Sequence, residues 1–196
     1  MRISVMRNLA AIAAFTLGPY AYAQDLTGDT RLACEALLCM ASGTRPGQCA
    51  PSINRYFSIR NKNPTKTMRE RLNFLQMCPS SSQTAEMQSL VTAMVNGAGN
   101  CDPSALNSAL QVTRIDQYGQ PYSIISNQMP AYCTAYTGHV YTYFEGTIPK
   151  YVGLPERGGY WVDPQSYDQA LAGYNQRIAQ ENEAARLNLY LSNMGN

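Results

Sequence analysis

The chain has 196 residues, room for one domain with an extended tail. Hydrophobic residues make up 45% and charged residues 14%, too apolar for a disordered acidic or basic chain. Outside the N-terminus no run of roughly 18 apolar residues exists, which excludes a multispanning membrane protein. Setting Arg2 and Arg7 aside, 13 Lys/Arg face 13 Asp/Glu from Asp25 onward, so composition supports no global grip on nucleic acid or an anionic membrane.

The first 23 residues have the pattern of a secretory signal. Arg2 and Arg7 form a basic head, Leu9 to Leu17 an apolar run, and Ala21-Tyr22-Ala23 the small residues that a signal peptidase inspects. The pattern predicts cleavage before Gln24 and a mature chain of 173 residues. No Leu-x-x-Cys lipobox stands at the junction. All six cysteines (Cys34, Cys39, Cys49, Cys78, Cys101 and Cys133) lie in the mature part, an even number suited to an oxidising compartment. Their spacing contains no C-x-x-C, so three structural disulfides are expected, with 15 connectivities open to six cysteines. Cys34 and Cys39 sit about 140° apart around a predicted helix, so they should bond to different partners.

Helix signals recur from Asp29 to Leu110. Asp29 is the expected cap of a helix running through Met40, and Pro51 opens a short one through Ile59. Asn63-Pro64 and Asp102-Pro103 each put an Asx cap before a proline at the first helical position. Met68, Leu72 and Leu75 make an apolar stripe leading to Cys78, and Pro79 stops it. Between Thr84 and Asn96, Met87, Leu90, Val91, Met94 and Val95 follow the helical period, closed by Gly97.

From Tyr118 to Tyr160 the composition shifts: eight of the 14 tyrosines fall here among glycines and prolines. That density of turn residues argues against long helices and for short extended pieces, with His139 to Phe144 the best candidate for a small hairpin. Asp163-Pro164 then starts a last helix to about Leu191, with Tyr167, Leu171, Tyr174 and Ile178 on one face and a mostly polar stretch from Gln180 to Asn188. The expected fold is mainly α (α+β), a compact disulfide-stapled helical domain over 24–162 with a small Tyr/Gly-rich extended layer. A C-terminal helical tail over 163–196 follows it.

Groups with possible chemistry are few. His139 is the only histidine, which excludes a multi-histidine metal site. Paired with Cys133 it has the makings of a thiol nucleophile and base, but a cysteine held in a disulfide is no nucleophile. The expectation is a histidine packed among Tyr136, Tyr141 and Tyr143. A wall-cleaving glycosidase needs a carboxylic acid and, as a rule, a second carboxylate; Glu35 is the best single candidate and no partner for it stands out. Six basic residues between Arg55 and Arg71 (Arg55, Arg60, Lys62, Lys66, Arg69, Arg71) read as a solvated face, and Arg45-Pro46-Gly47 as a turn whose arginine anchors a loop. No nucleotide, zinc-protease or serine-hydrolase motif is present, so no catalytic residue, metal or cofactor is assigned.

Several stretches are similar to one family. Cys34-Glu35-Ala36-Leu37-Leu38-Cys39, Ala41-Ser42-Gly43, Arg45-Pro46, Cys49-Ala50-Pro51-Ser52 and Arg55-Tyr56-Phe57-Ser58-Ile59 resemble the TrbM/KikA-type conjugal transfer proteins. So do Arg71, Phe74-Leu75 and Cys78-Pro79, and later Tyr132-Cys133, His139-Val140-Tyr141-Thr142 and Gly158-Gly159-Tyr160-Trp161-Val162-Asp163. The resemblance implies a plasmid-encoded periplasmic component of mating-pair formation that works with a type IV secretion system, and it supplies no catalytic residue. The partners expected are protein components of that machine, with no small-molecule substrate, no nucleic acid and membrane association only through partners. Tyr141, Tyr143, Tyr160, Trp161 and the far end of the last helix are the predicted partner surface, since aromatic side chains suit protein interfaces. The competing expectation is a peptidoglycan-cleaving hydrolase, muramidase-like, that assists assembly of the secretion apparatus.

Overall fold

The computed structural model describes residues 26–194; the predicted signal segment lies outside them. Thr27, not Asp29, stands at the cap position of the first helix, α1 (Gly28–Met40), and neither side chain makes a capping bond. The reason is tertiary. Arg55 holds the Asp29 carboxylate in a two-point grip, Nε to Oδ1 at 3.1 Å and Nη2 to Oδ2 at 2.6 Å, so it is not free to fold back onto the helix N–H groups. Helices α2 (Ala50–Ser58), α3 (Pro64–Leu75), α4 (Ala85–Gly97) and α5 (Pro103–Ala109) follow as the period and the prolines predict. Two of their caps bond as expected from a side-chain oxygen at this position: Asn63 Oδ1 accepts the Lys66 N–H and Thr84 Oγ1 accepts the Met87 N–H. Asp102 stands at the cap of α5 without such a bond.

Three disulfides tie this part together. Cys34–Cys78 joins α1 to the end of α3, Cys39–Cys49 closes the loop behind α1, and Cys101–Cys133 joins the turn after α4 to α6 (Ala131–Thr137). Cys34 and Cys39 therefore do take different partners, as their positions on two sides of α1 require. Inside the staples lies one continuous core that includes Met40, Tyr56, Leu75, Met94, Leu106 and Tyr136. Helices α4 and α6 approach closely because residue 97 is a glycine: a Cβ there would stand 2.5 Å from the Tyr136 ring. Tyr136 in turn donates its hydroxyl to the Met40 carbonyl at 2.5 Å, satisfying a buried helix-end acceptor.

The extended layer consists of two separate antiparallel hairpins. Strands β1 (Gln111–Ile115) and β2 (Pro121–Ile125) pair with Thr113 opposite Ser123, and β3 (Lys150–Val152) and β4 (Tyr160–Val162) pair with Tyr151 opposite Trp161. Neither contains His139 to Phe144, the stretch expected to form a hairpin. That segment turns instead, because the Thr142 hydroxyl donates to the Tyr136 and His139 carbonyls, each at 2.9 Å, and so competes with strand pairing. Only Tyr143 pairs, through an isolated parallel bridge to Ser42.

Strand β4 alternates between two cores. Trp161 faces the helical core, while Val162, with Val152 of β3, packs on Tyr174 of α7 (Tyr167–Met194) in a second, smaller cluster. Asp163-Pro164 opens a 3₁₀ turn, Pro164–Ser166, and the α-helix begins after it. Tyr167, Leu171 and Ile178 join Tyr174 on the packed face as the period predicts. Beyond Ile178 every described residue is exposed; Arg157 still reaches Glu181 and Asn182, and past them about 18 Å of helix projects at 1.5 Å per residue. No described helix is long and apolar enough to cross a membrane.

Candidate functional site

The groups with possible chemistry are engaged structurally. Cys133 is bonded to Cys101, so no thiol stands beside His139. The His139 ring bridges α4 and the turn after α6: its Nδ1 accepts the Tyr141 N–H at 3.2 Å and its Nε2 lies 2.8 Å from Ser89 Oγ. With Nδ1 accepting, the neutral ring carries its proton on Nε2 and donates to Ser89, whose own proton goes to the Glu86 carbonyl at 2.9 Å. A serine nucleophile needs the opposite polarity, an Nε2 that accepts. Glu35 forms a surface ion pair with Arg31, one turn earlier on α1, at 3.3 Å. That is not the apolar enclosure in which a carboxyl serves as general acid. Among the described residues no three His, Cys, Asp or Glu side chains gather as a metal would need.

The basic run does not present one free stripe. Arg55 grips Asp29 and lies over the Phe74 ring, and Arg71 lies over the Tyr56 and Phe57 rings at 5.0 and 5.1 Å. Arg60 donates to the Phe57 carbonyl and Lys66 pairs with Glu70. Arg45, expected as a loop anchor, is exposed and lines a polar cleft of about 320 Å³ with Asp102, Thr147 and Asp163. Below it, burial pushes the Tyr136 phenol up to about 12, against the opposing charge of Arg45.

The four predicted interface aromatics separate into two groups. Tyr141 is 47% and Tyr143 65% exposed on the turn after α6, and Val140 beside them is exposed as well. The Tyr143 hydroxyl donates to Glu145 at 2.6 Å, which raises its pKa. Its backbone joins the end of α1, N–H to the Ala41 carbonyl at 2.7 Å and carbonyl to the Gly43 N–H at 3.0 Å. That pairing brings Tyr143 within about one helical turn of Leu38, which is 76% exposed. Leu38, Val140, Tyr141 and Tyr143 are thus large exposed apolar side chains on the end of α1 and on the turn whose backbone pairs with it, a frame tied by disulfides. Sequence reasoning missed Leu38 and Val140. The signal was present for Leu38, which stands one position off the face of Ala33, Ala36, Leu37 and Met40 that α1 buries at the helical period.

Tyr160 is half-buried in the cluster with Tyr174, and Trp161 is 5% exposed. Trp161 is a core residue, a correction to its place on the predicted partner surface. Its indole N–H donates to the Ser126 carbonyl at 3.0 Å and its backbone N–H to Asn107 Oδ1 at 2.7 Å. The second exposed apolar feature is at the far end of α7, where Leu187, Tyr190, Leu191 and Met194 follow the helical period on one face.

These features define a disulfide-stapled, mainly helical protein that presents exposed apolar side chains on a tied body and on a projecting helix. The chain belongs to the TrbM family, whose model matches residues 25–175. The match ends one residue past Tyr174, the last buried side chain of the described helix, so the projecting part of α7 lies beyond it. The membership fits a role in conjugal transfer, and the three disulfides fit an exported protein. No curated protein and no solved structure matches the chain.

Proposed function

We propose that this protein is an exported periplasmic accessory of plasmid conjugation. It serves mating-pair formation beside a type IV secretion system and acts through protein–protein contact rather than catalysis. The observation that carries this reading is the exposure of Leu38, Val140, Tyr141 and Tyr143: large apolar side chains left in solvent on a frame tied by α1 and two disulfides. Exposed aromatic and aliphatic groups held rigidly cost little entropy to bury, which is what a docking surface needs. Family membership supports the conjugal setting. The projecting half of α7 is a second contact in this proposal.

The test is transfer frequency from donors lacking the gene, complemented by the full chain, by a chain starting at Gln24, or by the full chain with Tyr141→Ala and Tyr143→Ala. Recovery is expected with the full chain only, and a loss of about tenfold or more with the double variant at equal protein level, as for hot-spot truncation. Unchanged transfer without the gene would overturn the reading. So would clearing of murein by the purified oxidised protein that is lost in Glu35→Gln.

A further inference from the structure

Strand β1 ends the molecule on one side with an open edge. Its sheet has two strands, and all five β1 residues are exposed. The Ser126 N–H bonds the Leu110 carbonyl and the Asp116 N–H bonds the Gln120 carbonyl, each at 2.9 Å, which sets the phase of the ladder. In that phase Val112 and Arg114 exchange bonds with Ile124 and Tyr122. The N–H and C=O groups of Gln111, Thr113 and Ile115 point away from β2. Among the described residues none of these outward groups has a hydrogen-bond partner. The far side of β2 is different, because the Ile125 carbonyl accepts the Tyr151 hydroxyl at 2.6 Å. Thus β2 faces the body and β1 faces solvent.

Edges of this kind are ordinarily blunted by proline, a bulge or several charges. The β1 edge has none of the first two, since the five-pair register is unbroken and its one proline is Pro121 on β2. It carries one charge, Arg114. Around it Val112, Tyr118, Tyr122 and Ile115, the last 72% exposed, remain in solvent. A two-stranded hairpin is at best marginally stable by itself and gains from a third strand.

We infer that this edge pairs with the β1 edge of a second copy, antiparallel about a two-fold axis through Thr113. The segment Gln111-Val112-Thr113-Arg114-Ile115 can pair with its own reverse without a like-charge conflict. Thr113 meets Thr113 of the second copy, Gln111 meets Ile115, and Arg114 meets Val112, so no charge is placed directly opposite its like. A two-fold centred on Arg114 would set two arginines face to face, and any other centre leaves one of the outward residues unpaired. The Thr113 register uses all three outward residues of each copy, about six main-chain hydrogen bonds. The product is a continuous four-stranded sheet in the order β2-β1-β1-β2. A contact this small lies below the standard interface size, so the association is weak and concentration-dependent. It does not depend on the conjugal reading.

Sedimentation velocity of the full oxidised protein over two decades of concentration tests the inference. Wild type is expected to shift from monomer to dimer. Thr113→Lys and Thr113→Glu, both at an exposed position, should each stay monomeric because like charges then meet at the axis. An equimolar mixture of the two should regain the dimer. Thr113→Pro removes only an outward N–H and should also stay monomeric, with the circular dichroism of wild type. Monomeric wild type throughout, or no recovery in the mixture, would overturn the inference. A dimer lost in Leu187→Glu/Leu191→Glu but kept in the Thr113 variants would also overturn it and assign the contact to α7.

Discussion

The stapled body from α1 to α6 and the C-terminal unit of β3, β4 and α7 hold their shape by different means. The body closes three disulfides around one core of some twenty buried residues. The C-terminal unit has no disulfide and a core of three, Val152, Val162 and Tyr174. It is fastened by a few specific contacts: the Leu154 N–H donates to the Tyr174 hydroxyl at 3.1 Å, and Arg177 donates to the Arg157 carbonyl at 2.6 Å and to Glu181. Cross-linking spreads the body's stability over many residues. In the tail it rests on the small cluster around the Tyr174 ring and on Trp161, which β4 sends into the main core. The same helix buries nothing after Ile178, keeps a last side-chain hold where Arg157 reaches Glu181 and Asn182, and beyond these is supported by its own hydrogen bonds and short-range pairs.

The largest expected effect separates the body's staples from one another. Replacing Cys34 and Cys78 together by Ala frees a span of 44 residues and should cost about 4 kcal/mol by chain entropy, against about 3 kcal/mol for Cys39 and Cys49, which span 10. Denaturant unfolding measures both. Equal losses would show that the staples act through native packing rather than through the unfolded chain.

Alkali probes the same core. Burial pushes the Tyr56 and Tyr136 phenols up to about 12, against the opposing charges of Arg71 beside Tyr56 and Arg45 beside Tyr136. The unfolded chain ionises its tyrosines near 10. The body's stability is therefore complete below pH 10 and falls as the pH rises toward 12, by roughly 2 kcal/mol for each of the two phenols. Ultraviolet titration should show three late tyrosines, since burial also pushes Tyr151 up to about 12, with Tyr56 and Tyr136 ionising only as the circular dichroism is lost. Ionisation of all the tyrosines near 10 in a folded protein would mean that this core admits water.

A third change is confined to the tail. Gly153 has φ +78°, and a side chain there would run into the Tyr174 ring. Gly153→Ala should cost about 1–3 kcal/mol, read as faster hydrogen exchange in Tyr167–Ile178 while α1 to α6 keep their protection. Equal loss of protection in both regions would make the molecule one cooperative unit and remove the contrast between body and tail.

The smallest effect is electrostatic. Hydrogen bonds from Arg157 and Arg177 hold the Glu181 carboxyl below its ordinary 4.5. Its contribution to tail docking is present above that value and disappears as the pH falls through the lowered pKa. Glu181→Gln should quicken exchange around Arg177 at neutral pH and low salt, with no difference from wild type in acid. A difference that persists in acid would show that Glu181 acts by packing and not by charge.

Elements governed by neighbours in sequence are legible in the residues themselves. Asn63 before Pro64, the period from Met87 to Val95 and the face from Tyr167 to Ile178 each depend on residues within two turns, and each stands where the pattern places it. Elements governed by distant residues are not legible in this way. Asp29 has the local setting of a cap, but Arg55, 26 positions away, takes its carboxylate. His139 to Phe144 has the composition of a strand, and its fate turns on where the Thr142 hydroxyl finds carbonyls. Strand β1 escapes the pattern because its five residues are all exposed and so lack the alternation that marks a half-buried strand. Of the interface aromatics, Tyr141 and Tyr143 lie on the surface, whereas aromatic type by itself cannot distinguish them from Trp161, whose large apolar area suits a core as well as a contact.

By itself, then, the sequence determined the cysteine count, the separation of Cys34 from Cys39, the helical order and the family, because these are local or additive properties of the chain. The tertiary structure decided which cysteines pair, which tyrosines stay in solvent, which way the His139 proton points and where α7 leaves the body. Each of those depends on burial and on hydrogen-bond partners that reach a residue only through the folded chain.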